Sequence, residues 1–192
     1  MSKLEVRIIK ISKKHGLSHN GSNLTCVGII DEIYSIKKDD EPFILSCGHS
    51  FLSLAVVLEK YYGFNAEELY LKHGTHPNRD MEHKIWCSTG SLGHGFLISI
   101  GMAIANPNKK TYCLISDGEM FEGAIYEGAN VISKYKIDNL VVYLNFNGLS
   151  AYDEVPETMK DKIKALMPNI NIVDTKVEDY GLTGLSAHYC KL

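Results

Sequence analysis

Two apolar, β-rich segments separated by a helical segment constrain the fold of this chain more than any other feature of its sequence. The segments TYCLIS (111–116) and NLVVYL (139–144) flank residues 122–136, whose apolar spacing is that of a helix. Strand, helix and strand joined by short connections form a βαβ unit, and such units build parallel sheets. Both strands are apolar on both faces, as expected when helices cover each side of a sheet. The sequence therefore predicts an α/β fold: a doubly wound, mainly parallel sheet with helices on both faces.

The same spacing rules predict the other elements. Helices are expected near 4–14, 23–37, 50–62 and 156–166, and strands at 43–46 and 170–176. The stretch 63–88 is polar and is predicted to be loop, with one helical turn at AEELY. Residues 90–105 are apolar on nearly every side, which predicts a buried helix. Because the chain has no repeat, low-complexity tract or linker-like stretch, we expect a single domain over residues 1–192.

Charge and cysteine content exclude several classes of function. A net charge of −3 gives no electrostatic case for binding nucleic acid or a membrane surface. No apolar run approaches the ~18 residues of a membrane helix, and the N-terminus MSKLEVRIIKISKKHG lacks the apolar core of a signal peptide. The odd number of cysteines and the absence of C-x-x-C argue against a disulfide framework or a zinc site. The five cysteines are Cys26, Cys47, Cys87, Cys113 and Cys190. We expect a cytoplasmic enzyme or enzyme subunit.

Polar residues follow both strands of the βαβ unit. Asp117-Gly118 comes after the first strand and Asn147-Gly148 after the second. Parallel strands end at one edge of the sheet, which is where α/β folds bind ligands. Carboxylate and amide oxygens suit Mg²⁺ or Ca²⁺, and a helix opened by Gly118 would present N–H groups to phosphate. Asp-Gly and Asn-Gly are also the commonest turn dipeptides, so two ordinary turns and one metal–phosphate site both explain the pattern.

Several motifs in the same order resemble the transketolase family. SDGEMFEG (116–123) followed by NGLS (147–150) resembles its thiamine diphosphate signature, which begins with G-D-G and closes with N-G-[IL]-S. The other matches are SHNG (18–21) to G-H-P-G, SCGHS (46–50) to N-G-H, GTHP (74–77) to a G-H-P loop, and STGSLGHGFLISIGMAIA (88–105) to T-T-G-P-L-G-Q-G with its V-G-M-A-x-A helix. Together these matches span residues 18–152.

The resemblance implies a role for each matching residue. Asp117, the Asn147 side chain and the Leu149 backbone carbonyl would bind Mg²⁺. Contacts to thiamine diphosphate are implied for His49, Gly90, Ser91, Leu92, Gly118 and Asn147. His19 and His76 match histidines that face the sugar, and Glu122 matches a glutamate that takes part in communication between paired sites. Proton transfer from sugar hydroxyls suits histidine, whose pKa lies near neutrality.

Some positions depart from the family pattern. Ser116 replaces the first glycine of G-D-G, and Ser91 replaces the proline of G-P-L; both are small and neither removes a ligand. Asn20 replaces the proline after His19, which leaves that loop less defined. Asn145 precedes Asn147 by two positions and is an alternative metal ligand if the register differs. His94 stands where the family has Gln, and His188 is compared with a histidine after the last strand.

The length of the chain adds a further implication of the resemblance. Transketolases carry further domains, including one that binds the cofactor's pyrimidine ring, and residues 153–192 do not resemble it. The resemblance therefore implies the N-terminal subunit of a split transketolase, which transfers a two-carbon ketol unit between sugars or sugar phosphates. A C-terminal transketolase-like subunit would supply the pyrimidine half, in a heterotetramer.

Two alternatives to this function remain open. One is a subunit of a thiamine diphosphate-dependent enzyme that decarboxylates 2-oxo acids or transfers acyl groups. Against it, 2-oxo acids have no chain of hydroxyls to deprotonate, so the histidines His19, His49 and His76 favour sugars. The other is a non-catalytic relative that only binds a partner, which would not need the residues Asp117 and Asn147 together with the histidines.

Overall fold

A four-stranded parallel sheet forms the centre of the fold in the computed structural model, which describes residues 1–184 and 186–192. The strands are β1 (Phe43–Leu45), β2 (Thr111–Ser116), β3 (Leu140–Phe146) and β4 (Asn171–Asp174), and they lie in the order β1-β2-β3-β4. Ser116 at the end of β2 is paired with Asn145 of β3. The segments that follow these strands therefore begin at one edge of the sheet. The α/β fold with a parallel sheet is confirmed.

Helices connect and flank the strands. They are α1 (Lys3–His15), α2 (Asn20–Ile36), α3 (Phe51–Tyr62), α4 (Ala66–His73), α5 (His94–Ala105), α6 (Gly123–Tyr135), α7 (Thr158–Leu166) and α8 (Ser186–Tyr189). Short 3-10 turns lie at Gly48–Ser50, Met81–His83, Asp117–Phe121 and Val177–Tyr180. The segment predicted as a single turn at AEELY is the eight-residue α4, because the Asn65 side chain caps its first turn. Within the described residues, no helix is both long and apolar enough to cross a membrane.

Helices cover both faces of the sheet. Successive side chains of a strand point to opposite faces. Phe43 and Leu45 pack into a core with α1 to α4, whereas Ile44 packs into a second core with α5, α6 and α7. The same alternation continues in β2, where Leu114 joins the first core and Cys113 the second. This confirms the prediction that helices cover both faces of the sheet.

The helix predicted over residues 90–105 differs from the expectation in two ways. It begins at His94 rather than Gly90, because Gly93 has a left-handed φ of 80° that ends the preceding loop. Only one side of α5 packs against the sheet and α6, so burial on nearly every face is wrong for the single chain. Leu97, Ile98 and Ile104 are 37%, 37% and 54% exposed.

The segment after β2 also differs from the expectation. The sequence predicts that Gly118 opens the helix of residues 122–136. A five-residue 3-10 turn, Asp117–Phe121, intervenes instead, and α6 begins at Gly123. The turn carries Asp117 and Glu119 into the protein interior, where both side chains are fully buried.

Candidate functional site

A polar cavity lies at the carboxyl ends of β2 and β3, bordered by the 3-10 turn after β1. Its volume is about 150 Å³. Most of the residues predicted from the sequence line it, namely His19, His49, His76, Gly90, Leu92, Asp117, Gly118, Asn147 and Leu149. These residues come from widely separated segments of the chain, so the fold brings together what the sequence keeps apart.

Asp117 joins the two turns that follow β2 and β3. Its Oδ2 accepts hydrogen bonds from the backbone N–H groups of Asn147 (2.9 Å) and Gly148 (2.6 Å). Its Oδ1 accepts the N–H of Gly118 at 3.0 Å. The side-by-side placement of Asp117 and Asn147 is thereby confirmed. Two independent turns would not need a fully buried carboxylate between them.

Burial changes the acidity of this carboxyl group. Removal from water raises the pKa of Asp117 to about 7, although the amide hydrogen bonds act in the opposite direction. A carboxylate that is costly to ionise in the ligand-free protein gains from a cation placed beside it. The electrostatics of Asp117 therefore fit a metal ligand.

The oxygen donors near Asp117 fit a hard divalent cation. Oδ1 of Asp117 accepts one hydrogen bond and keeps a lone pair for a metal. Asn147 Oδ1 accepts the N–H of Leu149 at 2.9 Å. The Leu149 carbonyl oxygen faces Gly118, 3.8 Å from where a Cβ of that residue would be. Carboxylate, amide and carbonyl oxygens are the ligand types of Mg²⁺ and Ca²⁺, so the predicted donors Asp117, Asn147 and Leu149 fit such an ion.

Asn145, the alternative ligand, is held by its neighbours. Its Oδ1 accepts the hydroxyl of Thr175 at 2.6 Å, and its Nδ2 donates to Thr25 Oγ1 (2.9 Å) and Cys26 Sγ (3.3 Å). The side chain is 1% exposed. It links β3 to α2, so its amide oxygen is less available to a metal than that of Asn147.

Three histidine rings meet on the side of the cavity formed by α2 and the C-terminal segment. Ring centroids are 5.4 Å apart for His19 and His49, 4.5 Å for His19 and His188, and 5.3 Å for His49 and His188. The backbone fixes His19 in a left-handed conformation (φ 60°), with its N–H donating to the His188 carbonyl at 2.8 Å. The sequence suggests His188 only by comparison, and the structure places it in the cavity wall.

The pKa values of these histidines are lower than the value near neutrality that a role in proton transfer assumes. Burial lowers the pKa of His49 to about 3 and that of His19 to about 4, and the neighbouring imidazoles add to both effects. Burial also lowers the pKa of His188. The rings are therefore neutral at neutral pH. A diphosphate bound nearby would raise their pKa values again, because an anion favours the protonated imidazole.

Close backbone packing connects the segments that carry His49 and His76. A Cβ on Gly48 would lie 2.7 Å from Thr89 Oγ1 and 2.9 Å from the Gly90 nitrogen, so only glycine fits there. The ring of His76 lies against Gly90, 3.4 Å from where its Cβ would be. The segments that carry His49, His76 and Gly90, which are far apart in the sequence, thus meet at one wall.

Some predicted residues lie outside the cavity wall. Ser91, His94 and Glu122 are exposed, and none of them is part of the lining. The roles of Ser91 in cofactor binding and of Glu122 in communication between sites stay predictions. Two other histidines have structural contacts: His73 and His83 both contact Asp80 Oδ2, at 3.2 and 2.8 Å.

Glu119 lies close to the cavity and is not among the residues predicted from the sequence. Its fully buried carboxylate accepts hydrogen bonds from Ser46, Gly93 and Ser116. A signal was present, since Ser116-x-x-Glu119 has the spacing of a capping box, and the structure forms one. The serine that replaces the first glycine of the family signature thus has a structural partner of its own.

A larger groove of about 420 Å³ lies at the opposite edge of the sheet. It is lined mainly by apolar side chains of α6, α7 and the start of β3, including Ile132, Leu140 and Leu166. Polar groups do not converge there as they do around Asp117. Its chemistry gives no reason to place a charged ligand in it, and the smaller polar cavity is the candidate site.

One protein-family profile matches most of the chain. The profile is described as "Transketolase, thiamine diphosphate binding domain", and it matches residues 32–176. The matched range contains β1 to β4 and the turns that carry Asp117 and Asn147.

Individual proteins with similar sequences belong to the same family. One subunit of an apulose-4-phosphate transketolase of Phocaeicola vulgatus is 34% identical over 174 residues, covering 80% of this chain and 61% of that protein. The corresponding subunit from Actinobacillus succinogenes is 30% identical, covering 68% of this chain and 55% of its own length. A transketolase of Mycoplasma genitalium is 28% identical over 67% of this chain and 23% of its own. The chain thus spans less than two thirds of these relatives.

Solved structures share the fold. A transketolase from Campylobacter jejuni superposes with a TM-score of 0.70 at 20% identity, covering 90% of this chain and 36% of that one. A transketolase from Leishmania mexicana gives 0.65 at 18% identity, covering 91% and 37%. At these identities the likeness concerns the fold alone.

Proposed function

The chain belongs to the transketolase family, and from that premise we propose that it is the part of a split transketolase that holds the diphosphate and metal of thiamine diphosphate. Together with a C-terminal transketolase-like subunit, it transfers a two-carbon ketol unit between sugars or sugar phosphates. The metal is Mg²⁺, or Ca²⁺ in its place. Apulose 4-phosphate, named in the descriptions of two relatives, is the first substrate to test.

The observation that carries the proposal is the buried Asp117 carboxylate between two turns. It receives the N–H groups of Asn147 and Gly148 from one turn and that of Gly118 from its own. Asp117, Asn147 and Leu149 line one cavity and offer it a carboxylate, an amide and a carbonyl oxygen, which are ligand types suited to a metal bound to a diphosphate. A domain that only bound a protein partner would not need Asp117, Asn147 and the histidines around one polar cavity.

The size of the cavity supports a divided active site. Pockets for complete small ligands usually measure ~300–1,000 Å³. The cavity here measures about 150 Å³, enough for part of a cofactor. Two relatives are described as single subunits of a transketolase, which implies a partner in their enzymes and supports one here. Two such pairs would form the heterotetramer that we propose.

The residues of the cavity have distinct tasks in the proposed reaction. Thiamine diphosphate, when bound, supplies the carbon that attacks the ketose and accepts the electrons of the broken C–C bond. Asp117, Asn147 and Leu149 hold the metal, and His49 lies on the diphosphate side. His19 and His76 face the remaining space, where each imidazole can accept or return a proton of a sugar hydroxyl. A neutral ring, as His19 has, is in the state needed to accept one.

A reducing compartment is part of the proposal. Each of the five cysteines is a free thiol, and Cys26, Cys47, Cys87 and Cys113 are buried. Free thiols are typical of proteins in a reducing compartment, which supports a site of action in the cytoplasm.

Calorimetric titration of the chain co-purified with its partner subunit tests the proposal. We expect thiamine diphosphate to bind only with Mg²⁺ present, and thiamine without the diphosphate not to bind. Asp117→Ala should abolish the metal-dependent binding. Asp153→Ala is the matched control, because Asp153 is an exposed carboxylate on the loop that follows Asn147.

Two results would count against the function. Binding of thiamine diphosphate that persists in Asp117→Ala would show that the site is wrongly assigned. Binding of thiamine as tightly as thiamine diphosphate would show that this chain does not hold the diphosphate half. A ketol-transfer assay with the co-purified partner then identifies the sugars.

A further inference from the structure

We infer that Glu119 is a positioning residue, which fixes three segments of the cavity wall relative to one another and so sets the geometry for the metal and the diphosphate. The inference rests on the proposed function for its ligand. Glu119 does not line the cavity itself, so it acts through the residues that do.

The carboxylate of Glu119 accepts hydrogen bonds from three segments. Oε1 accepts the Ser46 hydroxyl at 2.5 Å and the Gly93 N–H at 2.8 Å. Oε2 accepts the Ser116 N–H at 2.8 Å and lies 3.4 Å from its hydroxyl. Ser46 follows β1, Gly93 precedes α5, and Ser116 ends β2. One side chain therefore connects segments that lie up to 73 positions apart.

Each of these segments continues directly into the cavity wall. Three residues after Ser46 comes His49, and one residue after Ser116 comes Asp117. Gly93 follows Leu92, which lines the cavity together with Gly90. A shift at any of the three hydrogen bonds would therefore move a cofactor or metal ligand of the proposed site.

Burying the carboxylate of Glu119 costs free energy, which argues that this side chain does more than fill space in the core. The side chain is fully buried, and all its hydrogen-bond donors are uncharged. The N-terminus of α5 offsets part of the cost of burying this charge, because the positive end of the helix dipole lies beside the carboxylate. Gly93 is the N-cap of α5, and the N–H of Phe96 donates to Ser46 Oγ at 3.1 Å. An apolar residue would fill the same space without desolvating a charge.

Gly95 makes this junction tight. A Cβ at Gly95 would lie 2.6 Å from Ser46 Cα, so the first turn of α5 touches the backbone after β1. Glu119 completes the contact by bonding Ser46 and Gly93 at once. Small displacements of either segment are therefore opposed by both backbone contact and hydrogen bonds.

The experiment compares Glu119→Ala and Glu119→Gln with the unchanged chain. Gln keeps an oxygen that can accept from Ser46 and Gly93 and loses mainly the bond to the Ser116 N–H. Ala loses all of them. The control is Ile163→Ala or Ile163→Val, whichever matches Glu119→Ala in unfolding free energy, because Ile163 is a buried core residue of α7.

Two readouts are used. The first is hydrogen exchange, by mass spectrometry, of peptides covering residues 46–51 and 89–95 in the ligand-free chain. The second is the dissociation constant for thiamine diphosphate with Mg²⁺. In Glu119→Ala we expect faster exchange in both peptides than in the stability-matched control, and binding weakened about 10–100-fold. In Glu119→Gln we expect binding weakened less than about 10-fold.

The outcomes separate this inference from the proposed function. Exchange and binding in Glu119→Ala equal to those of the Ile163 control would overturn the positioning role, while leaving the cofactor site in place. Equal loss of binding in Gln and Ala would also overturn it, since the charge rather than the hydrogen bonds would then matter. If the unchanged chain does not bind thiamine diphosphate even with its partner subunit present, the proposed function fails, and the exchange data alone decide the role of Glu119.

Discussion

Replacing Asp117 by Asn should separate the stability of the fold from its ability to bind a metal. An Asn side chain can place its carbonyl oxygen where Oδ2 accepts the N–H groups of Asn147 and Gly148. Its NH₂ then faces the N–H of Gly118, so one hydrogen bond is lost. An unpaired buried N–H costs about 1–3 kcal/mol of unfolding free energy. Removal of a buried negative charge offsets part of that cost.

The effect on ligand binding should be much larger. Ligand at 100 times its dissociation constant adds about 2.7 kcal/mol to the unfolding free energy. For a chain of this size, that corresponds to a rise in Tm of roughly 5–10 °C. Asp117 supplies the one negative charge among the three predicted metal donors, so Asp117→Asn should lose the whole rise.

Thermal unfolding followed by circular dichroism, with and without Mg²⁺ and thiamine diphosphate, measures both effects. Asp153→Asn makes the same chemical change on an exposed side chain and should keep the full rise in Tm. A rise in Asp117→Asn equal to that of the unchanged chain would refute the assignment of Asp117 as a metal ligand. Loss of the rise in both variants would show that the loss is not specific to Asp117.

Three further predictions concern the surroundings of the site. The pKa of His49 is about 3 in the folded chain and about 6.5 in the unfolded chain. Below about pH 6.5 the unfolded state therefore binds a proton that the folded state does not. The free energy of unfolding then falls by up to about 1.4 kcal/mol for each pH unit. Urea titrations from pH 7 to 4.5 should show a shallower slope for His49→Gln, and an unchanged slope would contradict the shift. Gly95→Ala places a Cβ 2.6 Å from Ser46 Cα, and we expect a loss of about 1–3 kcal/mol in urea unfolding, whereas unchanged stability would show that the contact is loose. Ser116→Gly restores the family residue and should leave cofactor affinity unchanged by calorimetry, because the bond from the backbone N–H of residue 116 to Glu119 is kept. A large loss would mean that the hydroxyl takes part in binding.

The spacing of apolar residues and the residues typical of turns are enough to predict much of the fold. The βαβ unit around residues 111–144 has strands that are apolar on both faces, and that pattern determines a parallel sheet. From the sheet alone it follows that Asp117 and Asn147 lie at one edge. Local patterns therefore predict where these two residues meet.

Contacts between distant segments could not be predicted in this way. The partners of Glu119 at Ser46 and Gly93 depend on how α5 packs against β1, which no local pattern encodes. The lowered pKa values of His19 and His49 likewise arise from burial, to which the nearby rings of His188 and His76 add. The exposed side of α5 is predicted wrongly because a local pattern is misleading: the helix is apolar on nearly every side, which indicates complete burial.

Native mass spectrometry of the tagged chain, purified from its own host with thiamine diphosphate and Mg²⁺ present, tests the central claim most directly. We predict a stoichiometric complex with a second protein of roughly 300 residues, with the cofactor bound to the complex. A homo-oligomer of this chain alone, without cofactor, would contradict the proposal of a divided thiamine diphosphate site.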